Sequence, residues 1–386
     1  MVQSRSHLTI RLSCGTDGEV EMSVVRWMRC VVLAALLMMG ASEFCGHVHA
    51  AAAAAASKPV IVETRRIWDR ARHNAFTDLL RFEGRWYCVF REGTAHVSPD
   101  GSLRVITSAD GADWKSMALI ESSRYDLRDA KITVTPGGQL MLNGAGMLAD
   151  AKVRYFSMSW LSSDGGRRWD RGRQIGDDGF WLWRTQWHDG VAYSMGYSTE
   201  RDRTVRKLRL YRSRDGRQFE THVQQLKAAA GCGEDRILFL KDGTALCLLR
   251  HETGDKMALL GTSSRPYTCW QWRDLNLRIG GPNMIQLPDG RILAVTRLYR
   301  GGTRTSLSWL DTKRARLTEV LKLPSGGDTS YAGLVWYKGL LWISYYSSHE
   351  GKTCIYLSKV RIPGKLASPP SQPNSTRSPS HSSPSS

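Results

Sequence analysis

Long apolar runs are scarce in this 386-residue chain. The longest, Cys30–Gly40, covers eleven residues, where a membrane-crossing helix needs about 20, so a polytopic membrane protein is excluded. Cysteine is sparse too. Eight in the whole chain are too few for a disulfide scaffold, and no CxxC pair or His at metal spacing accompanies them. A phosphate-binding glycine loop, a zinc-finger spacing and a basic-aromatic helix are all missing. No cofactor, no metal and no nucleic-acid partner is therefore expected.

Acidic side chains are the scarcer charge, 36 Asp and Glu against 54 Lys and Arg, for a net +18. The excess lies in the body of the chain, because residues 1–50 carry four charges of each sign. Such a surplus suits an anionic partner, an acidic surface or an acidic sugar more than nucleic acid, with general solubility as the alternative use of the charge.

The two ends do not read as fold. Residues 22–50 place Arg26 and Arg29 before the apolar run and end in Val48-His49-Ala50, a small-x-small cleavage site. This is the pattern of a secretory signal peptide; the alternative is an uncleaved anchor. Export to the periplasm, cell surface or medium is expected, with Met22 as the start and no stable membrane span after cleavage. Ala367–Ser386 is Ser/Pro-rich and nearly free of apolar side chains, so it is expected to stay disordered. The division is thus 1–56 leader, 57–366 folded body and 367–386 tail. Five cysteines (88, 232, 247, 269 and 354) fall in the body, mostly within apolar runs that suit buried thiols.

The body repeats itself. An apolar strand, a glycine turn and a second apolar strand recur at 78–92, 131–145, 184–197, 236–250, 283–297 and 333–346. The turn glycines are Gly84, Gly138, Gly190, Gly243, Gly290 and Gly339, separated by 54, 52, 53, 47 and 49 residues. A period of about 50 residues without intervening amphipathic helices is that of a propeller blade of four strands. The fold expected is all-β, a six-bladed β-propeller. The last hairpin is followed only by Cys354–Val360, so the N-terminal stretch 59–68 is expected to supply the missing strand and close the ring.

Three of the second hairpins share a motif. Ser162-Ser163-Asp164-Gly165-Gly166-Arg167-Arg168-Trp169 reads S-x-D-x-G-x-x-W, and Ser108–Trp114 and Ser213–Phe219 match it one residue shorter. Ser and Asp bond the turn backbone, Gly takes the positive φ and the ring buries between sheets. These segments resemble the Asp boxes of the sialidase superfamily, which are structural and lie opposite the active face.

Chemistry in a propeller collects where inner strands begin and their partners end. Those ends are rich in Arg, Asp, Glu and Tyr, residue types that clamp a carboxylate and supply acids and bases. Glu234 opens the fourth repeat and Arg250 closes it; Tyr331 precedes the sixth inner strand; Arg297 closes the fifth. In these stretches the chain resembles bacterial exo-α-sialidases. The resemblance implies Tyr331 as nucleophile, Glu234 as its base, and Arg250 and Arg297 as carboxylate ligands. Around them Arg91, Arg128, Asp129, Asn283, Asp328 and Tyr345 are further substrate-binding candidates.

Two departures from that family stand out. Its Arg-Ile-Pro opening of the first blade is replaced by His73-Asn74-Ala75-Phe76-Thr77, so Arg72, Arg91 or Arg128 would have to stand in for the first arginine. The loop that carries the family's general acid reads Gly93–Asp100, leaving Asp100 or His96 as proton donor. Asp126, Arg128 and Asp129 are closer to other glycoside-hydrolase propellers. The resulting expectation is an exported, monomeric glycosidase acting on a terminal acidic sugar. A non-catalytic propeller that binds an anionic glycan or a protein is the alternative.

Overall fold

The computed structural model describes residues 58–148 and 155–364. The expected signal peptide and Ser/Pro-rich tail lie outside them. The chain divides at Lys58 into two units, of which the second, from Pro59, carries all the strands described below. No helix among the described residues is long and apolar enough to cross a membrane.

Six four-stranded antiparallel sheets follow one another as the blades of a β-propeller. Blade 1 consists of His73–Phe82, Arg85–Gly93, Ser102–Ser108 and Lys115–Ile120, and blade 2 of Asp126–Val134, Leu140–Met147, Tyr155–Ser162 and Arg173–Ile175. Blade 3 is Phe180–His188, Val191–Ser198, Leu208–Ser213 and Glu220–Val223; blade 4 is Cys232–Phe239, Ala245–His251, Leu259–Ser263 and Gln271–Asp274. Blade 5 runs through Ile279–Gln286, Ile292–Leu298, Arg304–Asp311 and Arg316–Lys322. Blade 6 has Thr329–Tyr337, Leu340–Ser347 and Cys354–Arg361, and Val60–Trp68 pairs antiparallel with the last of these as its outer strand. The ends of the propeller are thus stitched together inside one sheet. A second seam joins blade 6 to blade 1, where Asn74 N–H and Asn74 Nδ2 both donate to Thr353 O.

All six expected turn glycines have φ between 73° and 87°. In three of these turns the preceding residue (Glu83, Asp189 or Lys338) is left-handed too, the two-residue geometry that matches strand twist. Blades pack face to face through apolar side chains. Trp86 of blade 1 stacks on Trp342 of blade 6 at 4.3 Å between ring centroids, and Gly111 sits so close that a Cβ there would lie 2.4 Å from Trp342.

The S-x-D-x-G turns are closed by their own side chains. Ser108 Oγ bonds Asp110 at 2.8 Å and accepts from Gly111 N, Asp110 accepts from Ala112 N, and Trp114 Nε1 donates to Gly111 O. Ser162, Asp164, Gly166 and Trp169 repeat the pattern, and Ser213, Asp215 and Gly216 repeat its Ser-Asp-Gly part. Blade 4 has a fourth turn that the sequence motif misses: Tyr267, at φ 66°, stands where the others have glycine, and Trp270 Nε1 donates to its carbonyl. All four turns join third strands to fourth, which puts them at the opposite end of each blade from the starts of the inner strands. All five body cysteines are free thiols, four of them buried.

Candidate active site

Each inner strand breaks register at the same place. Two of its residues face one on the neighbouring strand: Phe76-Thr77 in blade 1, Asp129-Ala130 in blade 2, Trp183-Arg184 in blade 3, Gly233-Glu234 in blade 4, Gly281-Pro282 in blade 5 and Tyr331-Ala332 in blade 6. Such bulges re-aim a side chain. Phe76, Asp129, Gly281 and Tyr331 all take left-handed φ, between 53° and 65°, a cost that a non-glycine residue bears only where the surroundings enforce it. Gly281 is glycine for a local reason: a Cβ there would lie 2.8 Å from the Tyr331 ring.

The bulges of blades 4 and 6 meet. Tyr331 Oη donates to Glu234 Oε1 at 2.5 Å, Arg250 Nη1 donates to the same oxygen at 2.6 Å and to Tyr331 Oη at 3.2 Å, and Gly281 N–H donates to Glu234 Oε2. Burial alone would raise the pKa of Glu234, but Arg250, the tyrosine hydroxyl and Gly281 N–H outweigh it and hold the carboxylate below its ordinary range. Burial and the adjacent Glu234 charge push Tyr331 well above the usual phenol value. The pair is therefore a neutral phenol bonded to an ionised carboxylate.

Arg297 extends the cluster. Its Nε donates to Thr329 O and its Nη2 to Tyr346 Oη at 2.8 Å, and Tyr346 donates to Asp328 Oδ1 at 2.7 Å. Arg250 Nη2 and Arg297 Nη1 have no partner among the described residues. Two guanidinium corners thus stay free beside Tyr331, whose ring centroid lies 5.3 Å from the Arg297 carbon.

Asp328 also accepts from both histidines of blade 1, through Oδ2, at 3.2 Å from His73 Nε2 and 2.8 Å from His96 Nδ1. Burial raises its pKa, but the two imidazole bonds prevail and keep it far below the carboxylate range. The donor atoms of His73, His96 and Asp328 lie within 4.8 Å of one another. His96 itself is half-exposed at the rim. Phe76 sets its ring edge-on to both His96 and Tyr331, at 5.0 and 5.1 Å.

Asp129 is buried in the blade 2 bulge with no hydrogen bond among the described residues; its nearest ion-pair contact is Arg128 Nε at 3.9 Å. Burial raises its pKa against the opposing pull of Lys131 and Arg128. Arg128 Nη1 is held by Asp126, with the guanidinium 5.6 Å from the Phe76 ring centre. On the blade 3 side Trp181 stacks on Tyr197, and Trp183 lies 5.7 Å from Tyr331.

Several expected site residues are placed elsewhere. Arg91 is fully buried and spent on Asp126 and the carbonyls of Ala95 and Ser98, so it is a structural tie and no ligand. Tyr345 points between strands, stacks on Tyr356 and donates to Pro324 O; its neighbour Tyr346 faces the site instead, because adjacent strand residues point to opposite faces. Asn283 is committed to Ala332 O and Met284 N. Asp100 accepts from Thr94 N and Oγ1; burial raises its pKa, but the bonds from Ser98 and Thr94 prevail, leaving a charged loop carboxylate and a poor proton donor. Arg72 is exposed, whereas Arg128 is buried beside Phe76.

No family model and no curated protein matches the chain. Its fold is shared with solved structures. A protein of unknown function from Dyadobacter fermentans superposes with a TM-score of 0.71 at 17% identity, covering 79% of this chain and 100% of that one. The α-L-arabinanase of Penicillium chrysogenum, solved with arabinobiose, gives 0.62 at 13% identity over 77% and 98%. The sialidase of Trypanosoma rangeli gives 0.59 at 13% identity, over 75% of this chain and 55% of that longer one. The scaffold is one that glycosidases use.

Proposed function

We propose that the chain is a retaining exo-glycosidase that releases a terminal sugar bearing a carboxylate. The observation that carries this reading is the buried Tyr331–Glu234–Arg250 triad at the channel mouth. A carboxylate nucleophile is repelled by an anomeric carbon that bears its own carboxylate; a neutral phenol is not. Tyr331 Oη attacks that carbon while its proton passes to Glu234, and Arg250 stabilises the charge on both.

The leaving oxygen needs a proton at the same time. Asp129 supplies it: its carboxyl is buried, without a hydrogen bond among the described residues and raised in pKa by burial, the environment of a general acid. In the second step Asp129 takes a proton from water, which attacks the anomeric carbon, while Glu234 returns its proton to the departing Tyr331 Oη. The unpartnered nitrogens of Arg250 and Arg297 hold the sugar carboxylate, with Arg128 beside them. Trp181, Trp183 and Tyr197 form the wall against which the ring packs. His96, fixed through Nδ1 by Asp328, presents Nε2 to the leaving group at the rim. The leader-like pattern of residues 22–50 supports export of this activity.

The reading is tested by assaying the purified protein on aryl glycosides of sialic, ketodeoxy and uronic acids beside neutral arabinofuranosides. Turnover confined to the acidic series and lost in Tyr331→Phe is the expected result. Turnover of the neutral series alone overturns the carboxylate assignment. Retention on an acidic-glycan column without any turnover would favour a binding module.

A further inference from the structure

Past the bulges, the inner strands turn a second set of side chains into the central channel. There a cavity of about 220 Å³ is lined by Lys131, Arg184, Arg236, Asp78, Asn143 and Thr185, among others. It lies behind the floor of the site: Lys131 Nζ is 5.9 Å from the Tyr331 ring centre, and Arg184 Nη2 donates to Ala332 O.

Charge in this cavity does not balance. Three cations line the cavity with one carboxylate, Asp78, whose two oxygens are already bonded, to Arg184 Nη1 at 2.9 Å and to Ile132 N at 3.1 Å. Asp129, Glu234 and Asp235 act on these cations from outside the lining. Among the described residues Lys131 Nζ hydrogen-bonds only Ala130 O, at 3.3 Å, and lies 5.0 Å from the Trp183 ring centre, and Arg236 hydrogen-bonds only Met284 O, at 3.5 Å. Asp235, buried beside Arg184 and Arg236, makes no hydrogen bond through either oxygen. Burial raises its pKa against the opposing pull of Arg184 and Arg236.

Three donors lining the same cavity have no partner among the described residues: Asn143 Nδ2, Arg184 Nε and Thr185 Oγ1, each on a side chain more than nine-tenths buried. Water would satisfy these donors but would not offset the excess of cations over carboxylates in the lining, and a buried charge without a counter-charge is costly. A cation would add to it. We infer that the channel binds a small monovalent anion of halide size, held by Asn143, Thr185 and Arg184 and neutralised by Lys131 and Arg236. The inference is independent of the glycosidase reading, since none of these five residues takes part in the proposed chemistry.

The test uses the whole protein in bromide. Crystals grown in bromide are expected to show an anomalous peak in the channel within contact of Asn143 Nδ2 and Thr185 Oγ1. In solution at fixed ionic strength, the thermal midpoint is expected to rise by about 2–4 °C when gluconate, a carboxylate that does not mimic a spherical halide, is replaced by bromide at ten times its Kd. Asn143→Asp supplies a negative charge from the protein itself; its midpoint should no longer respond to bromide. A second variant, Arg236→Met, should weaken the bromide response at least ten-fold in half-saturating concentration. Water alone in the channel, with identical midpoints in bromide and gluconate, would overturn the inference.

Discussion

Tyr331 of blade 6 donates its phenolic proton to Glu234 of blade 4 at 2.5 Å, across 97 residues of sequence. Neither residue lies in a regular stretch of strand. Both sit in register breaks, and Tyr331 takes a left-handed φ of 54° to reach its partner. Backbone strain of this kind, about 1–3 kcal/mol for a non-glycine residue, persists at a site that the surrounding blades hold in place.

If the pair acts as nucleophile and base, Tyr331→Phe and Glu234→Gln should each lower kcat by about 10²–10⁴-fold. The double variant should be little worse than either single one, because residues that act as a unit do not add. Kinetics on the acidic aryl glycosides, with thermal midpoints recorded alongside, check this and separate lost chemistry from lost fold.

The pH profile of kcat/KM should be a bell. Glu234 works only when ionised; burial raises its pKa, but Arg250, Tyr331 and Gly281 N–H bring it below the ordinary value, so the acid limb falls under that value. Asp129 works only when protonated, and burial carries its pKa upward, so the rate drops as pH rises through that ionisation. Asp129→Asn should erase the alkaline limb and spare the acid one. Its loss of rate should be large on poor leaving groups and small on activated aryl ones, which need little proton donation.

Arg250→Lys and Arg297→Lys should raise KM for the acidic substrates by about 10–100-fold, the worth of one charge-assisted hydrogen bond of about 1.5–3 kcal/mol. Lysine keeps the charge but not the planar fork. Neutral glycosides, measured on the same variants, should be far less affected by Arg297→Lys.

Gly333→Ala should destabilise the fold by at least about 1–3 kcal/mol, the usual cost of overpacking. A Cβ there would lie 2.1 Å from Leu79 N, where the inner strands of blades 6 and 1 meet. Urea unfolding checks this. By contrast, Asp215→Ala, in a turn at the far end of blade 3 from the bulges, should lower the midpoint while leaving kcat/KM unchanged.

The propeller was legible in the sequence because its signals are local. Turn glycines recur at a blade's period, apolar residues alternate around them, and the short final repeat leaves one strand for the N-terminus to fill. Glu234, Tyr331, Arg250 and Arg297 were singled out by their places at strand ends and by the sialidase resemblance, and the fold brings them into one cluster. The bulges were not, because a left-handed Phe76, Asp129 or Tyr331 leaves no mark in composition or period. That is why Tyr345 was chosen over Tyr346: with a period of two, an error of one residue exchanges the faces. Arg91 and Asp100 were misplaced for a different reason. Their partners, Asp126 and Thr94, are identified only by the folded loop. The turn at Tyr267 was missed because Ser263–Trp270 contains no Asp-Gly pair.

The most direct test of the Tyr331–Glu234 assignment is a covalent trap. The protein would be incubated with a fluorinated acidic glycosyl fluoride, digested, and its peptides weighed. One sugar adduct is expected, on Tyr331, absent when Tyr331→Phe is treated in the same way. An adduct on Glu234 or Asp129, or turnover that leaves no adduct at all, would contradict it.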